Sequence, residues 1–562
     1  MVISGSLGLS AHAQVPLPPL FDPTLRGQPP PPLRKEFKPQ VPEPGPTLPE
    51  TPVPSEGEKR LLPQVRVFVH DVHVVGSTVF SDEQLAKVTE PYRGRTITTE
   101  DLERLRLAIT LLYVNNGYLT SGAIIPDQDV TTGVIVVQVI EGKLSRIDIE
   151  GNKWFRAGYL RDRIGLGVTT PLAMPPLQER LQLLQQDPRI ERINAELRPG
   201  ETLGESVLNV RVKEPRPIKA WLEFNNFQTP VVGAERGLAT IAHQNLTGNG
   251  DLASFTYGRS RGVNPIIDAT YAIPVTKYDT LFAVNYRRND FLVVEAPFKP
   301  LNIESESEIM GATLRQPVYR TISDEVAVAI TGERLYNKTF IFNDQPFSFI
   351  PGAQNGVSTV MALRFIQEWT HRTPTTVVAV RSRFSVGIDA LGATVNSGPM
   401  PDGRFFSWLG QTQAVRRFDE WGGLQLLGRI DLQLSNDRLF PLEQMPVGGR
   451  FSVRGYRENT LIRDNAFLTS GELRVPVLRR AQGDDILQLA SFIDVGRGWN
   501  ARGPTPDPQT LASVGLGLRW MILPQDRARF EVYWGVPLNH VDTPGGNLQD
   551  HGIHIQLVAQ VF

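Results

Sequence analysis

The stretch Val378-Ala379-Val380-Arg381-Ser382-Arg383-Phe384-Ser385-Val386-Gly387-Ile388 decides the fold. On a strand, successive side chains point to opposite faces. Val378, Val380, Phe384, Val386 and Ile388 therefore share one face, and Arg381, Arg383 and Ser385 share the other. The same rule sets Phe282, Val284 and Tyr286 against Asn285 and Arg287, and Val326, Val328 and Ile330 against Ala327, Ala329 and Thr331. Such segments, separated by Gly, Asn, Asp and Pro, recur through residues 216–562. A soluble β-core could not hydrate arginine and asparagine on its inner face. A closed barrel can, because its apolar face meets lipid and its polar face meets an aqueous lumen. Closure also pairs every backbone N–H and C=O, as burial in lipid requires. Dividing roughly 350 residues by about 22 per strand and connection gives about 16 antiparallel strands. The competing architecture is a large soluble sandwich or propeller, but no repeating blade signature is present.

Ahead of this region the pattern is α+β and occurs twice. In residues 64–143, Val65, Val67 and Val69 alternate as a strand, and Ser81 caps a short helix. A longer helix starts at Thr99, with Leu102, Leu105, Ile109, Leu112 and Tyr113 on one face and Asn116-Gly117 at its end. Strands are expected over Gly122 to Val130 and Gly133 to Ile140. Residues 144–215 repeat the order β-α-α-β-β: strand Leu144 to Glu150, helices Ala157 to Ile164 and Pro176 to Gln186, strands Glu191 to Arg198 and Ser206 to Val212. Tandem copies of one small module indicate stacking and strand pairing rather than a deep catalytic pocket. Residues 14–63 hold 16 prolines and read as an extended linker, with a ligand for a proline-binding module as the alternative. Residues 1–13 end in Ala11-His12-Ala13 and read as a partial signal peptide that lacks its basic segment.

Composition narrows the function. The chain has 562 residues, 58 Lys+Arg and 59 Asp+Glu, for a net charge of -1. A nucleic-acid partner calls for an excess of positive charge, so none is expected. With no cysteine, thiolate metal sites, disulfides and a cysteine nucleophile are excluded. His551 and His554, like His70 and His73, stand three apart, which on a strand places them on opposite faces and not in a metal site. There is no phosphate-cradling G-x-x-x-x-G-K-[ST] loop and no G-x-S-x-G elbow. Gly515 and Gly517 read as a bend or bulge in a strand. We expect no cofactor, no metal and no enzymatic activity. Mean hydropathy is -0.18, and no run of ~20 apolar residues exists, which does not bear on a barrel that hides its lipid face in alternate residues.

Two stretches carry a resemblance. One runs from Leu439-Phe440-Pro441-Leu442-Glu443-Gln444 into Gly448-Gly449-Arg450-Phe451-Ser452-Val453-Arg454-Gly455-Tyr456; the other is Phe492-Ile493-Asp494-Val495-Gly496. The V-R-G-Y and F-x-D-x-G motifs resemble those of the outer-membrane transporters of two-partner secretion, the haemolysin secretion/activation (ShlB/FhaC/HecB) branch of the Omp85 superfamily. Tyr113-x-x-x-Gly117-Tyr118, Glu141-Gly142, Asn245-Leu246-x-Gly248-x-Gly250-Asp251, Tyr271-x-x-Pro274 and Gly471-Glu472-Leu473 agree with it. The resemblance covers about residues 65–562.

The resemblance implies two POTRA domains in the periplasm of a Gram-negative bacterium and a monomeric 16-strand barrel in outer-membrane lipid. It implies a lumenal loop carrying Val453, Arg454, Gly455 and Tyr456, supported by Gly448 and Gly449. Arg454 is expected to meet Asp494 on the barrel wall, in the motif with Phe492 and Gly496. The implied partner is a large secreted exoprotein, haemolysin-like or adhesin-like, recognised by its N-terminal secretion domain. An Omp85-type assembly factor and a passive porin are the alternatives. The family's N-terminal plug helix has no good counterpart, since Leu33 to Phe37 amounts to one turn. Gln556 and Gln560 stand at alternate positions usually apolar before a C-terminal Phe562, which calls for a bulge that shifts the register or an atypical assembly signal.

Overall fold

The computed structural model describes residues 66–342, 344–480, 485–524, 527–543 and 545–561. The signal segment (1–13), the proline-rich linker (14–63), the Leu33 to Phe37 turn and Phe562 lie outside the described residues. One compact unit ends at Pro215 and a second begins at Arg216.

In the first unit, the first module contains β1 (Arg66–Val69), β2 (Asp71–Val75), α1 (Asp82–Thr89), β3 (Arg95–Thr98), α2 (Thr99–Asn115), β4 (Gly122–Ile124) and β5 (Val134–Ile140). The sheet order is β2-β5-β4, with β2 and β5 parallel. Helix α2 starts where Thr98 and Asp101 cap each other: the Asp101 N–H donates to Thr98 Oγ1 (3.3 Å) and the Thr98 N–H to Asp101 Oδ2 (2.9 Å). Its Leu105, Ile109 and Tyr113 are buried against Ile135 and Val137 of β5. Two expectations need correction. The strand expected over Gly122 to Val130 stops at Ile124, because the Gln128 side-chain amide then takes over the rungs, accepting from Val136 N–H (2.7 Å) and donating to Val136 O (2.8 Å). The alternating Val67 and Val69 belong to a separate two-strand ribbon, β1 with β3, and β2 is the strand that enters the sheet.

The second module repeats the plan with β6 (Lys143–Glu150), α3 (Ala157–Gly165), α4 (Met174–Gln185), β7 (Arg192–Pro199) and β8 (Glu205–Lys213), sheet order β6-β8-β7. A carboxylate holds the same place in both copies. Glu141, just after β5, accepts from Thr78 N–H (2.7 Å), Thr78 Oγ1–H (2.5 Å), Val79 N–H (3.2 Å) and Tyr113 O–H (2.9 Å). Glu214, just after β8, accepts from the N–H groups of Lys153 (3.0 Å), Trp154 (2.9 Å) and Phe155 (3.1 Å). Each ties the end of the central strand to the loop that opens the first helix. Burial alone raises the Glu141 carboxyl; the Thr78 hydroxyl and amide outweigh it and hold the group below the usual carboxylate range. Burial also pushes the Tyr113 phenol up to about 12.

In the second unit, sixteen antiparallel strands close into a barrel. They are β9 (Ile218–Asn225), β10 (Arg236–His243), β11 (Leu252–Ser260), β12 (Val263–Pro274), β13 (Leu281–Leu292), β14 (Glu304–Arg320), β15 (Asp324–Ile341), β16 (Val357–Arg372), β17 (Thr376–Ile388), β18 (Phe406–Phe418), β19 (Leu424–Ser435), β20 (Asn465–Arg479), β21 (Asp485–Trp499), β22 (Thr510–Leu523), β23 (Ala528–Pro537) and β24 (Ile553–Gln560). β24 returns to β9 and leaves no edge among them. No described helix is long and apolar enough to cross a membrane, so the crossing is made by strands. The opening alternation holds on β17, where Phe384 and Val386 are exposed outward and Arg383 and Ser385 are buried inward. On the outer face even Ser382 is satisfied, accepting from the Trp408 indole N–H at 3.0 Å. β24 pairs with β23 without a register shift, so there is no bulge: Ile553, Ile555 and Leu557 face out, and Gln556 turns inward and donates to Glu223 Oε1 (2.7 Å). His551 ends a 3-10 turn ahead of β24 rather than lying on the strand with His554.

Two outcomes test this description. Phe365 faces outward near the middle of β16, so Phe365→Arg should destabilise the inserted barrel by about 2–4 kcal/mol in urea titrations. For Glu141 the stability is present above the ordinary carboxyl pKa and lost as pH falls through the lowered folded value. Hydrogen exchange of residues 77–80 in the full chain should therefore speed up several-fold in Glu141→Gln at pH 7, after correction for intrinsic rates, and the difference should close in acid.

Candidate functional site

The connection between β19 and β20, residues 436–464, turns back into the lumen instead of leaving the barrel. Its small two-strand ribbon pairs Met445–Val447 with Leu461–Arg463. Between these arms the chain turns tightly. Gly448 (φ +108°) and Gly449 (φ +107°) take backbone angles that side chains rarely adopt, and the Gly448 N–H donates to Ser452 Oγ (2.8 Å). Val453 is fully buried among Met445, Val447, Leu461 and Leu468. Gly496 of β21 leaves that space open: a Cβ there would stand 2.7 Å from Val453 Cγ2.

Arg454 is 3% exposed, and its whole fork is used. Nε donates to Asp494 Oδ2 (2.7 Å) and Nη2 to Asp494 Oδ1 (2.8 Å), a bidentate pair. The Arg454 backbone N–H adds a third bond to Asp494 Oδ2 (3.0 Å), and Ser470 Oγ–H donates to Oδ1 (2.6 Å). Nη1 pairs with Glu472 of β20. The guanidinium carbon lies 3.7 Å from the centre of the Phe492 ring and 5.1 Å from that of Tyr533, so one aromatic face stacks on the cation while carboxylates hold its edge. Asp494 is fully buried, and removing one partner of such a pair costs about 3–5 kcal/mol.

Gly455 (φ +91°) lets the tip touch the wall backbone; a Cβ there would sit 2.9 Å from the Gly535 carbonyl carbon. The Tyr456 hydroxyl lies 2.9 Å from the carbonyl oxygens of both Ala512 and Asn539 and accepts from the Asn539 N–H (3.2 Å), pinning the loop to β22 and the segment after β23. The structure thus brings together all nine residues singled out from sequence: Val453, Arg454, Gly455 and Tyr456, Phe492, Asp494 and Gly496, Gly448 and Gly449.

Gly515 and Gly517 correct a sequence expectation. No register shift occurs at either in the pairing of β22 with its neighbours. A Cβ on Gly515 would overlap the Phe492 ring, and one on Gly517 would stand 2.5 Å from Tyr533 Cε1. The two glycines clear room for the rings that receive Arg454. Their spacing of two, which keeps them on one strand face, was the available signal. Sequence reasoning also missed Arg457, whose Nη2 donates to Asp550 Oδ2 (2.8 Å) and whose Nη1 donates to Glu295 Oε2 (3.0 Å), on the connections after β23 and β13. No group of His, Asp and Glu suited to a metal occurs among the described residues.

A closed sixteen-strand membrane barrel with an inward-folded loop, preceded by two small β-α-α-β-β modules, defines the class as a β-barrel transporter of the outer membrane. Residues 204–520 match the haemolysin secretion/activation protein family ShlB/FhaC/HecB, and the chain belongs to that family. Residues 67–142 match the ShlB-type POTRA domain. Among curated relatives, the outer membrane transporter CdiB of Dickeya dadantii is 23% identical over 68% of this chain and 67% of its own length. The heme/hemopexin transporter protein HuxB of Haemophilus influenzae is 25% identical over 47% of this chain, which spans about half (46%) of that relative. CdiB from Escherichia coli shares the fold at a TM-score of 0.63 and 20% identity, over 91% of this chain and 92% of that one. BamA from Haemophilus ducreyi does so at 0.53 and 13% identity, over 88% and 99%. The chain is accordingly an outer-membrane transporter of the two-partner secretion type.

The glycine at the tip provides a test. Gly455→Ala combines a positive φ, worth about 1 kcal/mol or more, with the Gly535 contact. Limited proteolysis of the inserted protein should cut within residues 436–464 several-fold faster in this variant. Gly428→Ala, where no atom lies within 4 Å, should leave the rate unchanged.

Proposed function

We propose that the protein takes one large exoprotein from the periplasm, passes it unfolded through the barrel and releases it at the cell surface, a passage that has to start from the docked state of residues 436–464. The observation that carries this reading is the buried Arg454, held on an inward loop by Asp494 and Glu472 of the wall. A loop retained in the lumen by a discrete set of charge-assisted bonds has a defined docked state and can leave it as a unit. Capture is assigned to the POTRA modules. Among the described residues no strand pairs with the outer edge of β7, and an extended peptide can add a strand there. Membership of the haemolysin secretion/activation family supports a secreted exoprotein as cargo, and we assign its recognition to its N-terminal secretion domain. The chain works as a monomer seated in outer-membrane lipid, without a catalytic step. The family match favours this reading over a general assembly factor, despite the shared fold with BamA.

In Arg454→Ala the docked loop loses a buried pair worth about 3–5 kcal/mol, enough to depopulate it far more than tenfold. Secretion of the cognate exoprotein, measured by immunoblot of the culture medium, should fall at least about tenfold while heat-modifiable mobility shows a folded, inserted barrel. Undiminished secretion from such a barrel would overturn the proposal. Loss of many outer-membrane proteins on gene deletion would support the assembly-factor alternative instead.

A further inference from the structure

The loop enters the lumen through a second buried ion pair, far from the V-R-G-Y tip. Glu443 is 1% exposed and Arg364 is 2% exposed. Arg364, on β16, donates from Nη2 to Glu443 Oε1 (2.7 Å) and from Nη1 to Glu443 Oε2 (3.1 Å). Next to this fork, Leu439 and Phe440 are buried against Leu335 of β15 and Val360 and Ala362 of β16. Four strands, β17 to β20, separate this anchor from Asp494 on β21. Arg457 adds a third hold on the connections after β13 and β23. The loop is therefore secured at separate points around the lumen, and its tip is only one of them.

We propose that Arg364 and Glu443 form a second clamp on the lumenal loop, acting as positioning residues that fix its entry arm independently of Arg454 and Asp494. The reading rests on the proposed role of the loop in secretion. The chemistry suits a releasable clamp on one side only. Arg364 keeps other partners on the wall: Nε donates to Glu333 Oε2 (2.6 Å) and Nη1 to Ser385 Oγ (2.9 Å). The arginine therefore stays paired when the loop leaves. Glu443 lies on the loop itself, so the charge that travels is the one on the loop. The glutamate also caps its own turn, its N–H donating to Phe440 O (2.8 Å). Moving it moves the apolar pair as well.

The test is a double-mutant cycle on the full chain. Glu443→Gln, Arg364→Gln and the double variant are reconstituted in planar bilayers, and resting conductance is recorded; heat-modifiable mobility certifies each barrel. Glu443→Gln leaves Arg364 paired with Glu333 and so spares the wall. It should raise the open fraction of the pore several-fold. The double variant should add little to either single one, because the two residues act through each other. Combined with Arg454→Ala, Glu443→Gln should instead add its own increment, as an independent anchor does. Wild-type conductance in Glu443→Gln, additive effects of the Arg364 and Glu443 changes, or no increment beyond Arg454→Ala would each overturn the clamp. Conductance reports the loop without any cargo. Parallel secretion measurements therefore judge the loop's role in transport separately: altered gating with undiminished secretion would overturn that role and leave the clamp standing.

Discussion

A guanidinium buried inside a barrel must have its charge and its five donors answered by the protein. Arg454 meets that constraint with Asp494, Glu472 and Ser470 at its edge and Phe492 on its face. The surrounding features follow from it. Ser470 and Glu472 occupy inward positions on β20, and Phe492 and Asp494 occupy inward positions on β21. Tyr533 on β23 closes the far side and donates to Glu472 Oε1 (3.2 Å), while Arg474 donates from Nε to the same oxygen (2.6 Å). Gly515 and Gly517 on β22 make space for the rings. Four neighbouring strands thus spend their lumenal faces on one cation. That investment explains why the loop folds inward, although its backbone could be hydrated outside.

The lumen as a whole obeys the same rule. Arg287 pairs with Asp268 (2.6 Å), Arg315 with Glu368 (2.8 Å) and Glu325 (2.6 Å), and Arg364 with Glu333 and Glu443. Charge of both signs is interleaved along the wall, in keeping with the overall net charge of -1. A wall of paired ions is polar enough to stay wet. Screening matters less for such buried pairs than for surface ones, so the docked loop should persist across ordinary ionic strengths.

Much of this was legible in the sequence because barrels write their two faces in a period of two. Val378 to Ile388 is sufficient to assign lipid and lumen sides, and dividing length by strand spacing reaches the observed sixteen strands. The α2 face was readable from Leu105, Ile109 and Tyr113 because helical spacing and burial coincide there. What escaped was long-range or substitutive. Nothing local shows that Gln128 replaces backbone rungs, that Glu214 repeats the work of Glu141, or that Arg364 awaits a glutamate 79 positions later. Gly515 and Gly517 were misread because a glycine cleared for a neighbour's ring and a glycine placed for a bend look alike without the neighbour. Gln556 looked anomalous only until Glu223 of the first barrel strand was seen beside it.

The way the two ends of the loop are held bears on how it can move. Its entry arm is embedded in an apolar cluster with Leu439 and Phe440, where separation exposes hydrocarbon and is costly in proportion to area. Its tip meets the wall through glycine: the Gly455 Cα lies where any Cβ on Gly535 would stand 2.7 Å away, and Gly552 crowds the same spot. Beside that contact Val453 and Tyr456 are buried with Leu468 and Leu511 of the wall, so the directional bonds of Arg454 and Tyr456 are added to an apolar cluster of the tip's own. Both ends of the loop thus join a buried ion pair to a buried apolar cluster, so undocking either one exposes hydrocarbon and a charge together, which favours a loop that is either docked or released as a whole.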